Sequence, residues 1–293
     1  MSDGKTPRTL VLLSHKRSGT TALFKTFQQH PEASVCHVDQ TIRIWKPNFW
    51  NLAADAIDGA SAAFEERFSQ SHPFLRFPDA YTEEAVFALW DHIVEELGPI
   101  VFDKSPQYLG NRKALALLLQ YREQPRDVRL FALVRNPFDT ISSQFERLGK
   151  GSFRKKGRRR TSEILGAFPD LEADGPAKRE QHWLMKHAHL RELLADGEDI
   201  PVFRYEDIMA APGVYLPTIF RHCGLDDCPE AYAALRPTNV GRHGKSENRQ
   251  FCAWQPGREL RTTAEVMGYR YERPHRFRNL LRSRLGVWTG STP

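Results

Sequence analysis

Lys16, Arg17, Ser18, Gly19, Thr20 and Thr21 place two cations and three hydroxyls around one glycine. That set of side chains suits the holding of a phosphate. Gly19 lets an anion approach the backbone, Thr20 and Thr21 add hydroxyl donors, and Lys16 and Arg17 supply charge. The apolar run Thr9-Leu10-Val11-Leu12-Leu13 precedes the stretch, and the helical pattern Ala22-Leu23-Phe24-Lys25-Thr26-Phe27 follows it. The predicted order is strand, tight basic turn, helix. A helix starting there aims its first N–H groups and the positive end of its dipole at whatever the turn holds. An ordinary nucleoside triphosphatase loop needs Gly, four spacers, then Gly-Lys-Ser/Thr. Here Thr20 stands where that Lys belongs.

A second anion signal closes another apolar run. Leu130-Phe131-Ala132-Leu133-Val134 ends in Arg135, and Ser143 follows eight residues later, two turns into the next predicted helix. Arg135 alone reads as a surface ion-pair partner. Two basic strand ends in one parallel sheet point instead to a ligand with two separate phosphates. The rest of the chain alternates apolar runs with helical patterns, which predicts an α/β fold with a central parallel sheet flanked by helices. Strands are expected at Thr9–Leu13, Ser34–Cys36, Ile100–Phe102, Val128–Val134 and Pro201–Phe203. Helices are expected to start near Gly19, Glu83, Leu109, Pro137, Pro176 and Asp207, with Pro137 in a first turn and Asp207 as an N-cap. Residues 39–81 read as less regular and rich in aromatics (Trp45, Phe49, Trp50, Phe64, Phe68, Phe74, Phe77). They form either a pocket wall beyond the strand ends or a satellite hydrophobic cluster.

The 293 residues suffice for one large domain, here expected over residues 1–269 with a basic tail at 270–293. No apolar stretch has the length of a membrane span, and Met1–Pro7 lacks the apolar segment of a secretory leader, so a cytoplasmic location is expected. Cys36, Cys223, Cys228 and Cys252 lack zinc-ligand spacing and read as free thiols, with no metal expected. The net charge of +6 is unevenly spread. Arg147, Lys150, Arg154, Lys155, Lys156, Arg158, Arg159 and Arg160 occur without an intervening acid, and a further basic stretch runs from Arg270 to Arg284. Charge runs are usually solvated. This one also suits an anionic ligand.

At this point the chain resembles the sulfotransferases that use 3′-phosphoadenosine 5′-phosphosulfate (PAPS). Lys16-Arg17-Ser18-Gly19-Thr20-Thr21 is similar to the family's 5′-phosphosulfate loop. Arg135 and Ser143 resemble its 3′-phosphate pair. Phe203-Arg204-Tyr205-Glu206-Asp207 resembles its Arg-Tyr-Glu-Asp strand end, whose Tyr lies near the adenine. Val240-Gly241-Arg242-His243-Gly244-Lys245 resembles the late basic loop that closes over the 3′-phosphate. The four motifs occur in order and span about Leu10 to Tyr269. The resemblance implies PAPS as co-substrate, no metal, and Lys16, Arg17, Ser18, Gly19, Thr20, Thr21, Arg135, Ser143, Tyr205, Gly241, Arg242 and Lys245 as its binding set.

Phe102-Asp103-Lys104-Ser105-Pro106-Gln107-Tyr108-Leu109 resembles the Glu-Lys-(Ser/Thr)-Pro-x-Tyr segment of the heparan sulfate and carbohydrate branch. The aryl and steroid branch has a His base where Pro106 stands. In the heparan-type branch the base is a Glu about ten positions into a segment starting His-Pro, which corresponds here to Asp39, one methylene shorter; His37 is the alternative base. Sulfuryl transfer resembles phosphoryl transfer, with a loose, in-line, charge-rich transition state, so Lys104 and Arg17 are the expected cations at the leaving group. The residues before Arg17 depart from the family: Ser14-His15-Lys16 replaces a small residue or Pro, and His15 and Lys16 either touch the sulfate or face solvent. The acceptor expected is a hydroxyl or amine of a carbohydrate, lipid or small metabolite. A nucleotide-dependent kinase and a nucleic-acid-binding module are the competing readings. The missing Gly-Lys-Ser/Thr weighs against the first, and the lack of a stacking or groove-reading motif against the second.

Overall fold

The first strand, β1 (Arg8–Ser14), is apolar on both faces because it lies inside a parallel sheet, where neither side meets water. The computed structural model describes residues 8–35, 48–148, 176–233, 235, 240–241, 243–246 and 249–272. Its sheet has five parallel strands in the order β2-β3-β1-β4-β5, with β2 at Ser34–Val35, β3 at Ile100–Ser105, β4 at Asp127–Val134 and β5 at Val202–Arg204. Successive connections leave β1 toward β2 and β3 on one side and toward β4 and β5 on the other. That reversal puts the ligand edge of such a sheet at the C-terminal ends of its central strands. The register sets Leu12 opposite both Lys104 and Phe131.

Two compact units make up the chain: Met1–Val134 with Lys186–Pro237, and Arg135–Met185 with Thr238–Pro293. The first contains the whole sheet. On one face Leu10, Leu12, Phe102 and Phe131 meet α1 (Thr20–Gln29) through Leu23, Phe24 and Phe27, and the Phe27 ring stacks on Phe102 at 4.2 Å. On the other face, Trp90 donates its indole N–H to Thr9 Oγ1 at 3.1 Å. Trp90 joins Phe49, Trp50 and Tyr121 in an aromatic layer drawn from α2 (Phe49–Ile57), α4 (Glu83–Leu97) and α5 (Arg112–Glu123). The second unit packs α6 (Pro137–Leu148), the first half of α7 (Pro176–Ala195), α11 (Arg249–Ala253) and α12 (Arg258–Val266) around Phe138, Ile141, Phe145, Trp183 and Phe251.

Several expectations change. The stretch expected to be irregular contains α2 and α3 (Ala62–Ser71), and Phe49, Trp50, Phe64 and Phe68 are core residues. Neither helix has a side-chain cap hydrogen bond; α2 buries six of its nine residues, whereas α3 buries Phe64 and Phe68 and leaves half of its residues exposed. The helix expected near Leu109 starts at Arg112. A 3₁₀ turn occupies Tyr108–Gly110, and Asn111 then caps α5 by accepting from the N–H groups of Lys113 and Ala114. Asp207 is not an N-cap: α8 runs from Tyr205 to Ala210, which puts Asp207 inside the first turn, 3.8 Å from Arg204 Nε. Among the described residues Cys223, Cys228 and Cys252 form no disulfide, and no helix is long and apolar enough to cross a membrane.

Candidate functional site

The turn leaving β1 is built to present N–H groups. Ser18 N–H donates to the His15 carbonyl at 3.2 Å, closing the turn. Arg17 sits at φ 76°, a left-handed conformation seldom taken by a residue with a side chain, and Gly19 follows at φ 94°. Such strain persists only where surrounding structure imposes it, and it clusters at functional sites. Helix α1 then starts with no side-chain cap and no acid in its first turn. The hydroxyls of Ser14 and Ser18 are buried without a hydrogen-bond partner among the described residues. Buried polar groups are nearly always paired. Two orphaned hydroxyls beside an uncapped helix start therefore fit a ligand that brings acceptor oxygens.

His15, expected to touch sulfate or face solvent, is buried at 1% exposure. Its Nδ1 lies 2.7 Å from the Lys16 carbonyl, so that nitrogen carries the proton. Its ring lies 6.3 Å from that of His187, also buried. Next to His187, Lys186 donates to the Pro106 carbonyl and so ties α7 to the turn after β3. Beyond that turn, Ser105 Oγ donates to Asn48 Oδ1 at 2.6 Å and accepts from Gln107 N–H at 3.2 Å, while Asn48 Nδ2 donates to Gln107 Oε1 at 2.9 Å.

Lys104 is not the solvated strand-end lysine its type would imply. It is 2% exposed. Its ammonium donates to the Thr20 carbonyl at 3.3 Å and sits 4.6 Å from the Phe24 ring centroid. Burial pushes its pKa down to about 8, partly offset by the neighbouring Asp103. Asp103 points to the opposite sheet face, accepts from Tyr108 Oη at 2.6 Å, and is pushed up to about 7 by its own burial. The first unit thus brings Lys104 under the first turn of the helix that the loop Lys16–Thr21 opens.

Tyr205 joins the same loop in an unexpected way. A Cβ on Gly19 would lie 2.1 Å from Tyr205 Cδ2. The aromatic ring occupies the space that any side chain at position 19 would need. Gly19→Ala is expected to lower stability by at least about 2 kcal/mol, from left-handed strain plus the clash. It should also abolish nucleotide binding. Adding Tyr205→Ala should recover part of the lost melting temperature by removing the clash. An unchanged melting temperature in Gly19→Ala would show that the loop adjusts freely.

In the second unit, Arg135 and Asp139 are buried, with Arg135 Nη2 3.8 Å from Asp139 Oδ2. Asp139 accepts three hydrogen bonds: Gly241 N–H at 2.8 Å on Oδ2, and His243 N–H at 2.7 Å and Nδ1–H at 2.8 Å on Oδ1. Burial alone would raise the Asp139 pKa, but the bonds from His243 and the Arg135 charge hold it below the ordinary range. His243 Nε2 in turn accepts from the Glu272 N–H at 3.3 Å. The proton therefore sits on Nδ1. Asn136 caps α6 through Phe138 N–H at 2.9 Å. Ser143 lies half-buried one turn beyond Asp139, Gly241 takes φ 68°, and Lys245 is exposed. His37, Asp39, Arg242 and the basic run Lys150–Arg160 lie outside the described residues. Asp139, His243, Lys186 and His187 were not among the expected site residues. The visible signal for Asp139 was its place midway between Arg135 and Ser143, four residues from each.

The folds of two solved sulfotransferase domains match this one. The domain from the olefin synthase of Synechococcus PCC 7002 is 16% identical, with a TM-score of 0.53, over 92% of this chain and 98% of that one. The domain from the curacin biosynthetic pathway is 17% identical, with a TM-score of 0.55, over 92% of this chain and 100% of that one. No curated protein sequence matches the chain. The sequence model of the sulfotransferase family matches residues 9–230, the stretch that contains all of the sheet but Arg8, the loop Lys16–Thr21 and Arg135. The chain belongs to the sulfotransferase family and is a sulfotransferase enzyme.

Proposed function

We propose that the enzyme moves the sulfuryl group of PAPS to a hydroxyl or amine of a carbohydrate, lipid or small-metabolite acceptor. The observation that carries the reading is the loop Lys16–Thr21. It opens an uncapped helix, and with it lie two buried serine hydroxyls, Ser14 and Ser18, that have no hydrogen-bond partner among the described residues, and the buried ammonium of Lys104. Those groups fit a phosphosulfate. PAPS supplies an activated sulfuryl group with a phosphate as leaving group. Lys16, Arg17, Ser18, Gly19, Thr20 and Thr21 hold the 5′ end of the nucleotide. Lys104 and Arg17 stabilise charge on the bridging oxygen as the bond to sulfur breaks. Tyr205, packed on Gly19, supports the loop and meets the adenine end. Arg135, Ser143, Gly241, Arg242 and Lys245 hold the 3′-phosphate. Asp39 takes the acceptor proton, with His37 as the alternative base. The segment Asp103–Tyr108 supports the heparan sulfate and carbohydrate branch, because Pro106 replaces the His base of the aryl branch. The basic run Lys150–Arg160 suits an anionic glycan among the acceptors.

Sulfate transfer from PAPS to a panel of glycans, lipids and phenols tests the reading. No transfer to any acceptor, together with no binding of adenosine 3′,5′-bisphosphate, would overturn it. The nucleotide half has a sharper check. A charge-assisted hydrogen bond contributes roughly 1.5–3 kcal/mol, so Arg135→Ala should weaken the bisphosphate about ten- to a hundred-fold and leave AMP almost unchanged. Equal losses for both nucleotides in calorimetry would show that Arg135 does not read the 3′ end.

A further inference from the structure

We propose that Asp139 is the positioning residue of the 3′-phosphate clamp, holding Arg135 and the Gly241–Lys245 loop in register through one carboxylate. This rests on the nucleotide reading above. Oδ2 faces Arg135 Nη2 at 3.8 Å and accepts from Gly241 N–H at 2.8 Å, so one oxygen serves both the arginine and the loop. Oδ1 holds the loop a second time through the His243 backbone N–H and Nδ1–H. The separation from Arg135 exceeds a hydrogen bond. Asp139 therefore orients the guanidinium by charge without accepting from it. Its partners Gly241 and His243 flank position 242 in the chain. A carboxylate beside a phosphate site is electrostatically adverse. If charge alone mattered, neutralising Asp139 would tighten anion binding; a positioning role demands the reverse. Asn cannot substitute, because its amide NH₂ would face an N–H donor on whichever side it is placed.

Calorimetry with adenosine 3′,5′-bisphosphate and AMP, on Asp139→Asn, Arg135→Ala and the double variant, tests this. Asp139→Asn should weaken the bisphosphate about ten-fold or more, the range of a lost charge-assisted contact, with AMP almost unchanged. Arg135→Ala should cost little further in the Asp139→Asn background, because a misoriented guanidinium has nothing left to lose. Purely structural damage would leave the two losses additive. Tighter or unchanged bisphosphate binding in Asp139→Asn, or full additivity, overturns the proposal while leaving the nucleotide reading intact. If Arg135→Ala alone weakens both nucleotides equally, the nucleotide reading itself fails. Should Asp139→Asn lack a cooperative melt, the cycle is run with His243→Leu and His243→Asn. The Asn variant keeps a donor for Asp139 and should bind the bisphosphate more tightly than the Leu variant; equal binding overturns the proposal.

Discussion

Lys104→Met is expected to lower kcat by about 10²–10³-fold, the loss typical of one donor to a developing oxyanion, while the nucleotide-free protein melts at a higher temperature. The two effects share a cause. Lys104 is buried between β3 and α1, and burial pushes its pKa from 10.5 down to about 8. Between those values the folded protein binds fewer protons than the unfolded chain, so stability rises with pH from about 8 to 10.5 and the cost of the buried charge is fully present below pH 8. Methionine fills a similar volume without that charge. Replacing a buried ion by an apolar side chain is often stabilising, and a gain of roughly 1–3 kcal/mol is expected at pH 7. The loss of the bond to the Thr20 carbonyl offsets part of it. Above pH 10.5 the gain should vanish, because wild-type Lys104 is then neutral in both states. A lysine retained at a cost to the fold points to work on an anion, which makes its desolvated ammonium more effective. Melting curves at pH 7 and above pH 10.5, read beside steady-state rates, check both halves. A variant that is less stable at pH 7 and turns over at nearly the wild-type rate would make Lys104 a packing residue.

The legible and illegible parts of this site divide by range. Strand β1 and its turn were readable because a strand buried on both faces is a continuous apolar run and the glycine after it marks the break. Arg135 was readable as the basic end of a second such run. Local patterning could not show that Lys104 lies under α1, since a lysine in a short strand looks the same whether its face is covered or open. It could not show that Gly19 is required by the Tyr205 ring, a contact across most of the chain. Asp139 reads locally as an ordinary acid in a helix first turn. Its role appears only with the partners 102 and 104 residues away, Gly241 and His243. The aromatic stretch at Phe49–Phe68 hid α2 because six of its nine residues are buried, which blurs the amphipathic period, and hid α3 because its buried side is only the pair Phe64 and Phe68.

Asp39→Asn should lower kcat by roughly 10²–10⁴, the usual contribution of a general base, and leave nucleotide affinity and melting temperature unchanged. Asp39 lies in a stretch outside the described residues, so the expectation rests on the count from His30-Pro31 and on the reaction's need for a base. The pH profile separates it from His37. An ordinary Asp carboxyl titrates near 3.9 and an ordinary imidazole near 6.5. With Asp39 as base, the rate should stay level between about pH 5.5 and 7, because the carboxylate is already ionised throughout. With His37 as base, it should fall below about pH 6.5 as the imidazole takes up a proton. The substitutions must agree with the profile. Asp39→Asn should remove turnover without moving any remaining pH limb, and His37→Ala should cost less than Asp39→Asn. Retained turnover in Asp39→Asn, with a rate that falls below pH 6.5 in the wild type and is lost in His37→Ala, would transfer the proton to His37. The base would then be an imidazole reached from the same segment, and the missing methylene at Asp39 would be the reason: a carboxylate one bond short of the acceptor oxygen leaves the proton to its neighbour.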